Sequence, residues 1–164
     1  MKGQRLFMGG LLLGKEPPAC SKGGRVSSME HMHRVKIKTK VLEGERKEGD
    51  TVILTYKIAY PFFTADRYEL CLMKLNRYYE EQAKEYLQLV DTEYYPAAKE
   101  QYAFDKEHGY PTMVYEAMQT YTETYNRGCI VSLYWERYAF TGGAHGNTVR
   151  GSETWNLQGC GRLA

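Results

Sequence analysis

Apolar and polar residues alternate along two stretches early in the chain. Val35, Ile37, Thr39 and Val41 fall on one side, with Arg34, Lys36, Lys38 and Lys40 on the other. That is the period of a half-buried strand with a basic outer face. Glu43 to Asp50 is polar, carries two glycines and reads as a hairpin connection. Val52, Leu54, Tyr56, Ile58 and Tyr60 then alternate as a second strand that Pro61 ends. Beyond it the period changes. Leu72, Leu75, Tyr79, Ala83, Tyr86 and Val90 recur every three or four residues, the spacing of one helix face. Asp66 and Glu69 have the spacing of a capping box, and Glu80 and Lys84 form an i,i+4 pair. Pro96 restarts a second helix that runs to about Glu107, where Gly109 supplies a left-handed cap with Pro111 just beyond. Three more strands follow, near Met113–Tyr125, Cys129–Phe140 and Thr148–Leu157, with turns at Asn126-Arg127-Gly128 and Thr141–Asn147. In the middle one Val131, Leu133 and Trp135 share a face. The order ββ-αα-βββ predicts an α+β fold, a mainly antiparallel sheet packed against one or two long helices.

A chain of 164 residues suits one domain. Residues 1–28 are rich in Gly, Pro and Ser with no sustained period, and are expected to be disordered or a mis-annotated N-terminal extension, with Met29 as the true start. Leu6 to Gly14 is nine residues with three glycines, far short of the ~20 of a membrane span, and a poor signal peptide. Both extracytoplasmic and cytoplasmic locations therefore stay open. The net charge of +2 is unevenly spread: residues 1–65 carry +6, and residues 66–164 carry −4. No nucleic-acid footprint emerges, although an acidic helical face can steer a basic partner. Of the four cysteines, none is in a C-x-x-C pair. Cys71 on the helix stripe and Cys129 in a strand read as small buried hydrophobes, with disulfides neither required nor excluded.

The densest feature is Tyr138-Ala139-Phe140-Thr141-Gly142-Gly143-Ala144-His145-Gly146-Asn147. Its glycines permit positive φ and close backbone approach, and successive N–H groups can form an anion nest. The spacings of phosphate and dinucleotide loops are absent. A tight structural turn, a ligand-contacting loop and a catalytic loop are the three readings. For the second, Tyr138, Thr141, Gly142, Gly143, His145, Gly146 and Asn147 are the contact residues.

The run Tyr-x-x-Thr-Gly-Gly-Ala-His-Gly resembles the hallmark of a domain family of unknown function. That family is found in the extracellular part of the anti-sigma factor RsiV and N-terminal to the deacetylase domain of PdaC. Glu45-Arg46-Lys47, Tyr60-Pro61, Asn76, Tyr78-Tyr79, Tyr125-Asn126, Leu133-Tyr134 and Trp155-Asn156-Leu157 fit the same family, so the resemblance spans about residues 33–163. It implies a non-catalytic cell-envelope module that binds a basic protein such as lysozyme, or a peptidoglycan fragment. It also implies that a C-terminal partner region is missing, the chain being a fragment or frameshifted product. An uncovered sheet edge would then favour homo-oligomers. No cofactor is expected. The rival readings are a cytoplasmic scaffold and a hydrolase or transferase using the turn with His145, Glu136, Asp105 and His108. His31 and His33 have strand spacing for two metal ligands, but they lie at the ragged edge of the domain and no metal site is assigned.

Overall fold

A computed structural model describes residues 33–163. The stretch 1–28, the start at Met29 and His31 lie outside the described residues. Strands β1 (Lys36–Glu48) and β2 (Thr51–Thr64) form a hairpin. Helix α1 (Glu69–Leu89), a π-helical turn (Val90–Tyr94) and helix α2 (Tyr95–His108) follow. The chain returns through β3 (Tyr115–Arg127), β4 (Ile130–Phe140), β5 (Asn147–Asn156) and the short β6 (Gly161–Leu163). The six strands lie in chain order in one sheet. Every neighbouring pair is antiparallel except β2 and β3, which run parallel over Leu54–Ile58 and Tyr115–Gln119. The fold is the expected α+β arrangement, with β6 as an unforeseen sixth strand.

Turns are tighter than their composition suggests. The segment read as a connection, Glu43 to Asp50, is largely paired strand, and only Gly49 and Asp50 turn the chain, Gly49 at φ 59°. Likewise Gly128 (φ 60°) and Cys129 make the β3–β4 turn, so Cys129 precedes β4 rather than lying in it. Pairing satisfies backbone donors and acceptors whatever the side chains, and charged residues are common on an exposed edge. Pro61 does not end β2; it pairs with Thr39 inside the ladder. The β2–β3 pairing stops at Ile58, leaving one side of Pro61 without a strand neighbour, the condition under which a strand accepts proline.

The helix opens differently from the capping-box expectation. It starts at Glu69 after Tyr68, held in the left-handed region at φ 64°, with no side-chain cap. Pro96 follows the π-helical turn without breaking the run, since the first turn of α2 accepts a residue that lacks an N–H. That π turn is pinned to β1. Arg46 donates from Nε to Asp91 Oδ1 at 2.8 Å and from Nη2 to Oδ2 at 3.2 Å, while stacking on Tyr56. Tyr95 donates to the Lys47 carbonyl at 2.8 Å.

Leu72, Leu75, Ala83, Tyr86 and Val90 of the helix are buried in one core with Ile53, Leu54, Ile58 and Phe63 of β2 and Ala117, Val131 and Leu133 of β3 and β4. Each large apolar side chain there contributes roughly 1.5–3 kcal/mol. Asn76 adds a polar tie, accepting from the Phe63 amide at 2.7 Å and donating to its carbonyl at 3.0 Å.

The reading of Cys71 as a plain buried hydrophobe needs correction. It is 5% exposed, yet it is disulfide-bonded to Cys160, 89 residues later, with Cα atoms 5.3 Å apart. No described cysteine is free. The bond fastens the approach to β6 onto the start of α1. Closing so long a loop restricts the unfolded chain, so replacing Cys71 and Cys160 together by alanine is expected to lower stability by about 2–4 kcal/mol. Denaturant titration without reductant measures it; an unshifted midpoint would refute this role.

Candidate functional site

The glycine-rich turn joins β4 to β5. Gly142 and Gly143 sit at φ 93° and 83°, where a side chain would be strained. Gly146 is needed for another reason: the Tyr138 ring occupies the place of its missing Cβ. Tyr138 is half-buried, and its carbonyl accepts from the Tyr86 hydroxyl at 3.2 Å. Thr141, Gly143, His145 and Asn147 are exposed, and Gly142 and Gly146 half-buried. Strand pairing and packing thus join Tyr138, Gly146 and Asn147 through the Ala139–Asn147 and Tyr138–Thr148 pairs. The groups named for a hydrolase are dispersed. Asp105 on α2 is buried, accepting from Gln101 at 2.8 Å and the Met113 amide at 3.2 Å. His108, exposed, stacks on Phe104, and Glu136 lies on β4.

Two cross-strand rows run up to this turn. Thr120, Glu136 and Arg150 are in register across β3, β4 and β5, and so are Met118, Tyr138 and Thr148. The six residues line an open groove of about 280 Å³. Opposite charges meet directly across the strands, with Arg150 Nε 2.5 Å from Glu136 Oε1, and the Tyr134 hydroxyl donates to the same oxygen at 3.0 Å. The hydrogen bond from Arg150 holds the Glu136 carboxyl below its ordinary pKa.

The opposite face carries a second cluster that the sequence reading missed. Leu133, Trp135 and Arg137 alternate away from the groove. Arg137 donates from Nε to Gln119 Oε1 at 2.7 Å and from Nη2 to the Gln82 carbonyl at 3.2 Å, and its guanidinium lies over the rings of Tyr86 and Trp135. Burial pulls it below its ordinary pKa. On β5, Glu153 Oε1 accepts from the Tyr78 hydroxyl at 2.7 Å and faces Arg162 at 3.3 Å, while Oε2 is buried with no partner among the described residues. Trp155 donates to the Tyr79 hydroxyl at 2.8 Å. Gly151 makes room for Trp135, whose indole takes the place a Cβ would fill. These groups surround a small cavity of about 30 Å³, lined by Tyr79, Gln82, Gln119, Trp135, Arg137 and Glu153 among others. One signal was available. Arg137 continues the Val131-Leu133-Trp135 face by two residues, and charges on an inward face are costly enough to be informative.

Among the described residues no group of three or more His, Cys, Asp or Glu is gathered to hold a metal ion. No described helix is long and apolar enough to cross a membrane.

Comparison with known proteins adds three findings. Residues 47–148 match the family described as deacetylase PdaC. A crystal structure of a DUF3298 family member from Bacteroides fragilis is similar with a TM-score of 0.55 and 17% identity, covering 81% of this chain and 60% of that one. A DUF3298 family protein from Pseudomonas aeruginosa aligns with a TM-score of 0.44 and 18% identity, over 78% of this chain and 55% of that one. The chain thus spans less than two thirds of either structure. No curated protein matches.

Two outcomes follow from the site's packing. Burial, reinforced by the bond to Glu153, pushes the Tyr78 phenol up to about 12, and burial pushes Tyr86 up to about 12. The unfolded chain ionises its tyrosines near the ordinary value of 10.0 while the native state keeps these protons. Stability should therefore be intact below that value and fall as the pH rises through the interval up to 12. Melting temperatures across this range, alongside tyrosinate absorbance, test it; flat melting temperatures would contradict it. Separately, Gly151→Ala should cost about 1–3 kcal/mol by displacing Trp135, read as a lowered midpoint with altered indole fluorescence.

Proposed function

The chain belongs to the PdaC family across residues 47–148, and from that premise we propose that it is a non-catalytic binding module of the bacterial cell envelope. Its ligand is a peptidoglycan fragment, held in the groove beside the glycine turn. The observation that carries this reading is the pair of in-register rows. Tyr138 offers a ring to a sugar face, Thr120 and Thr148 offer hydroxyls, and the Glu136–Arg150 pair offers a charged acceptor and donors. In this reading Thr141, Gly142, Gly143, His145, Gly146 and Asn147 extend the contact surface past the Tyr138–Thr148 pair at the end of the groove. The Cys71–Cys160 disulfide supports the location, because such bonds persist in oxidising compartments.

Much of the acidic excess on α1 is paired along the helix itself, Glu80 with Lys84 and Glu81 with Arg77. That weakens the case for a basic protein such as lysozyme and favours the glycan. Calorimetric titration with a purified muropeptide should give saturable binding, weakened about ten-fold or more by Tyr138→Ala, the usual scale for a central aromatic contact. Heat with lysozyme but none with muropeptide would move the assignment to the protein ligand. Silence with both would refute the binding role, and products accumulating in the titrated mixture would refute its non-catalytic part.

A further inference from the structure

The open face of the sheet continues past the groove. Along β4, Ser132, Tyr134, Glu136 and Tyr138 alternate with Leu133, Trp135 and Arg137. Arg137 reaches the Gln82 carbonyl of α1, so the first set lies on the face turned away from the helix. The groove uses two cross-strand rows of that face. Two more follow in the same ladders. Thr122, Tyr134 and Ser152 make the third row, and Tyr125, Ser132 and Thr154 the fourth. Ser132 and Thr154 are hydrogen-bonded across the strands at 2.8 Å. Tyr125 and Tyr134 both belong to the motif residues noted in the sequence, and neither lines the groove.

Tyr125 reaches this face through an irregularity. Glu123 pairs with Leu133 and Tyr125 with Ser132, so β3 bulges at Thr124. In an unbroken ladder Thr124 would oppose Ser132, and Tyr125 would turn to the helix side. Re-aiming a side chain is what a bulge does. The ring placed here is 41% exposed. Three tyrosines, Tyr138, Tyr134 and Tyr125, thus stand along one face of the sheet.

The four rows hold one anion and one cation, Glu136 and Arg150, and these pair with each other. Most of the remaining side chains end in a hydroxyl. Such a surface offers no net charge to a polyanion or to a basic protein. It suits an uncharged polymer of rings and hydroxyls, because a hydroxyl both donates and accepts and a phenol adds an apolar ring face. At about 3.4 Å per residue the stretch from Ser132 to Tyr138 covers roughly 20 Å, the length of about four linked hexoses.

We propose that this face is an extended platform for an uncharged β-1,4-linked glycan chain, which runs from Tyr138 past Tyr134 to Tyr125. The inference rests on the glycan reading of the groove and adds which part of the ligand is recognised. The sugar backbone is read rather than the peptide, and it is read as a run of sugars across all four rows rather than as one end.

Peptide-free chitin oligomers are the probes: the dimer, tetramer and hexamer, titrated by calorimetry beside the muropeptide. Affinity should rise by about ten-fold or more from dimer to tetramer and level off by the hexamer, once the platform is filled. Tyr125→Ala should remove most of that gain, whereas Leu70→Ser, at a position 77% exposed on α1, should leave it unchanged. The length comparison uses the unaltered protein, so it stands whatever a variant does to folding. Three results would overturn the platform and leave the groove reading in place: muropeptide binding with silent oligomers, equal affinity at every length, or a gain untouched by Tyr125→Ala. Silence from muropeptide and oligomers alike would remove both.

Discussion

Two neighbouring strands that run parallel cannot be joined by a turn, because the chain must travel back the length of the first before the second can begin. Here β2 and β3 are such a pair, and the forty residues from Glu69 to His108 make the return. That one pairing is the reason the helix exists as a crossover and lies against the sheet, which in turn fixes where the core forms. It spans only Leu54–Ile58 and Tyr115–Gln119. Past those residues the strands separate, Pro61 becomes tolerable within β2, and the cavity with Arg137 and Glu153 opens between the helix and the divided sheet.

The sheet manages charge differently on its two faces. On the open face Glu136 and Arg150 compensate each other across neighbouring strands, in contact with water. Such a pair adds little to stability, but its donors and acceptors remain available to a ligand. On the helix face Arg137 has neutral partners, whereas Glu153 is held by the Tyr78 hydroxyl and by Arg162. Aromatic rings fill what lies between: Tyr78, Tyr79 and Trp155 pack edge to face near Glu153, and Trp135 lies over Gly151. The abundance of tyrosine is thereby explained in part by packing. Tyr138 serves both packing and surface, since it rests on Gly146 and also lines the groove.

Much of the architecture was legible in the order of residues, because period is a local property. Alternation in β1, β2 and β4 and the three-to-four spacing of Leu72, Leu75, Tyr79, Ala83 and Tyr86 each identify an element without reference to any other. Gly109 and Gly128 mark a helix end and a turn for the same reason: positive φ is costly for other residues wherever it occurs. Polar composition over Glu43 to Glu48 and the missing N–H of Pro61 argue against a strand only as long as the neighbouring strand is unknown, and both are paired in the ladder. The neighbouring strand decides whether that backbone pairs.

What the chain alone determined, then, is the order of the elements up to β5, the family resemblance carried by the Tyr138–Asn147 run, and a candidate contact surface in that run. Only the tertiary structure decided that Cys71 meets Cys160, that Thr120, Glu136 and Arg150 form a row, and that Arg137 and Glu153 share a cavity. These are relations between residues far apart along the chain. Their distances depend on strand order, register and the parallel crossover, and none of those is encoded in the spacing of side chains within a single element.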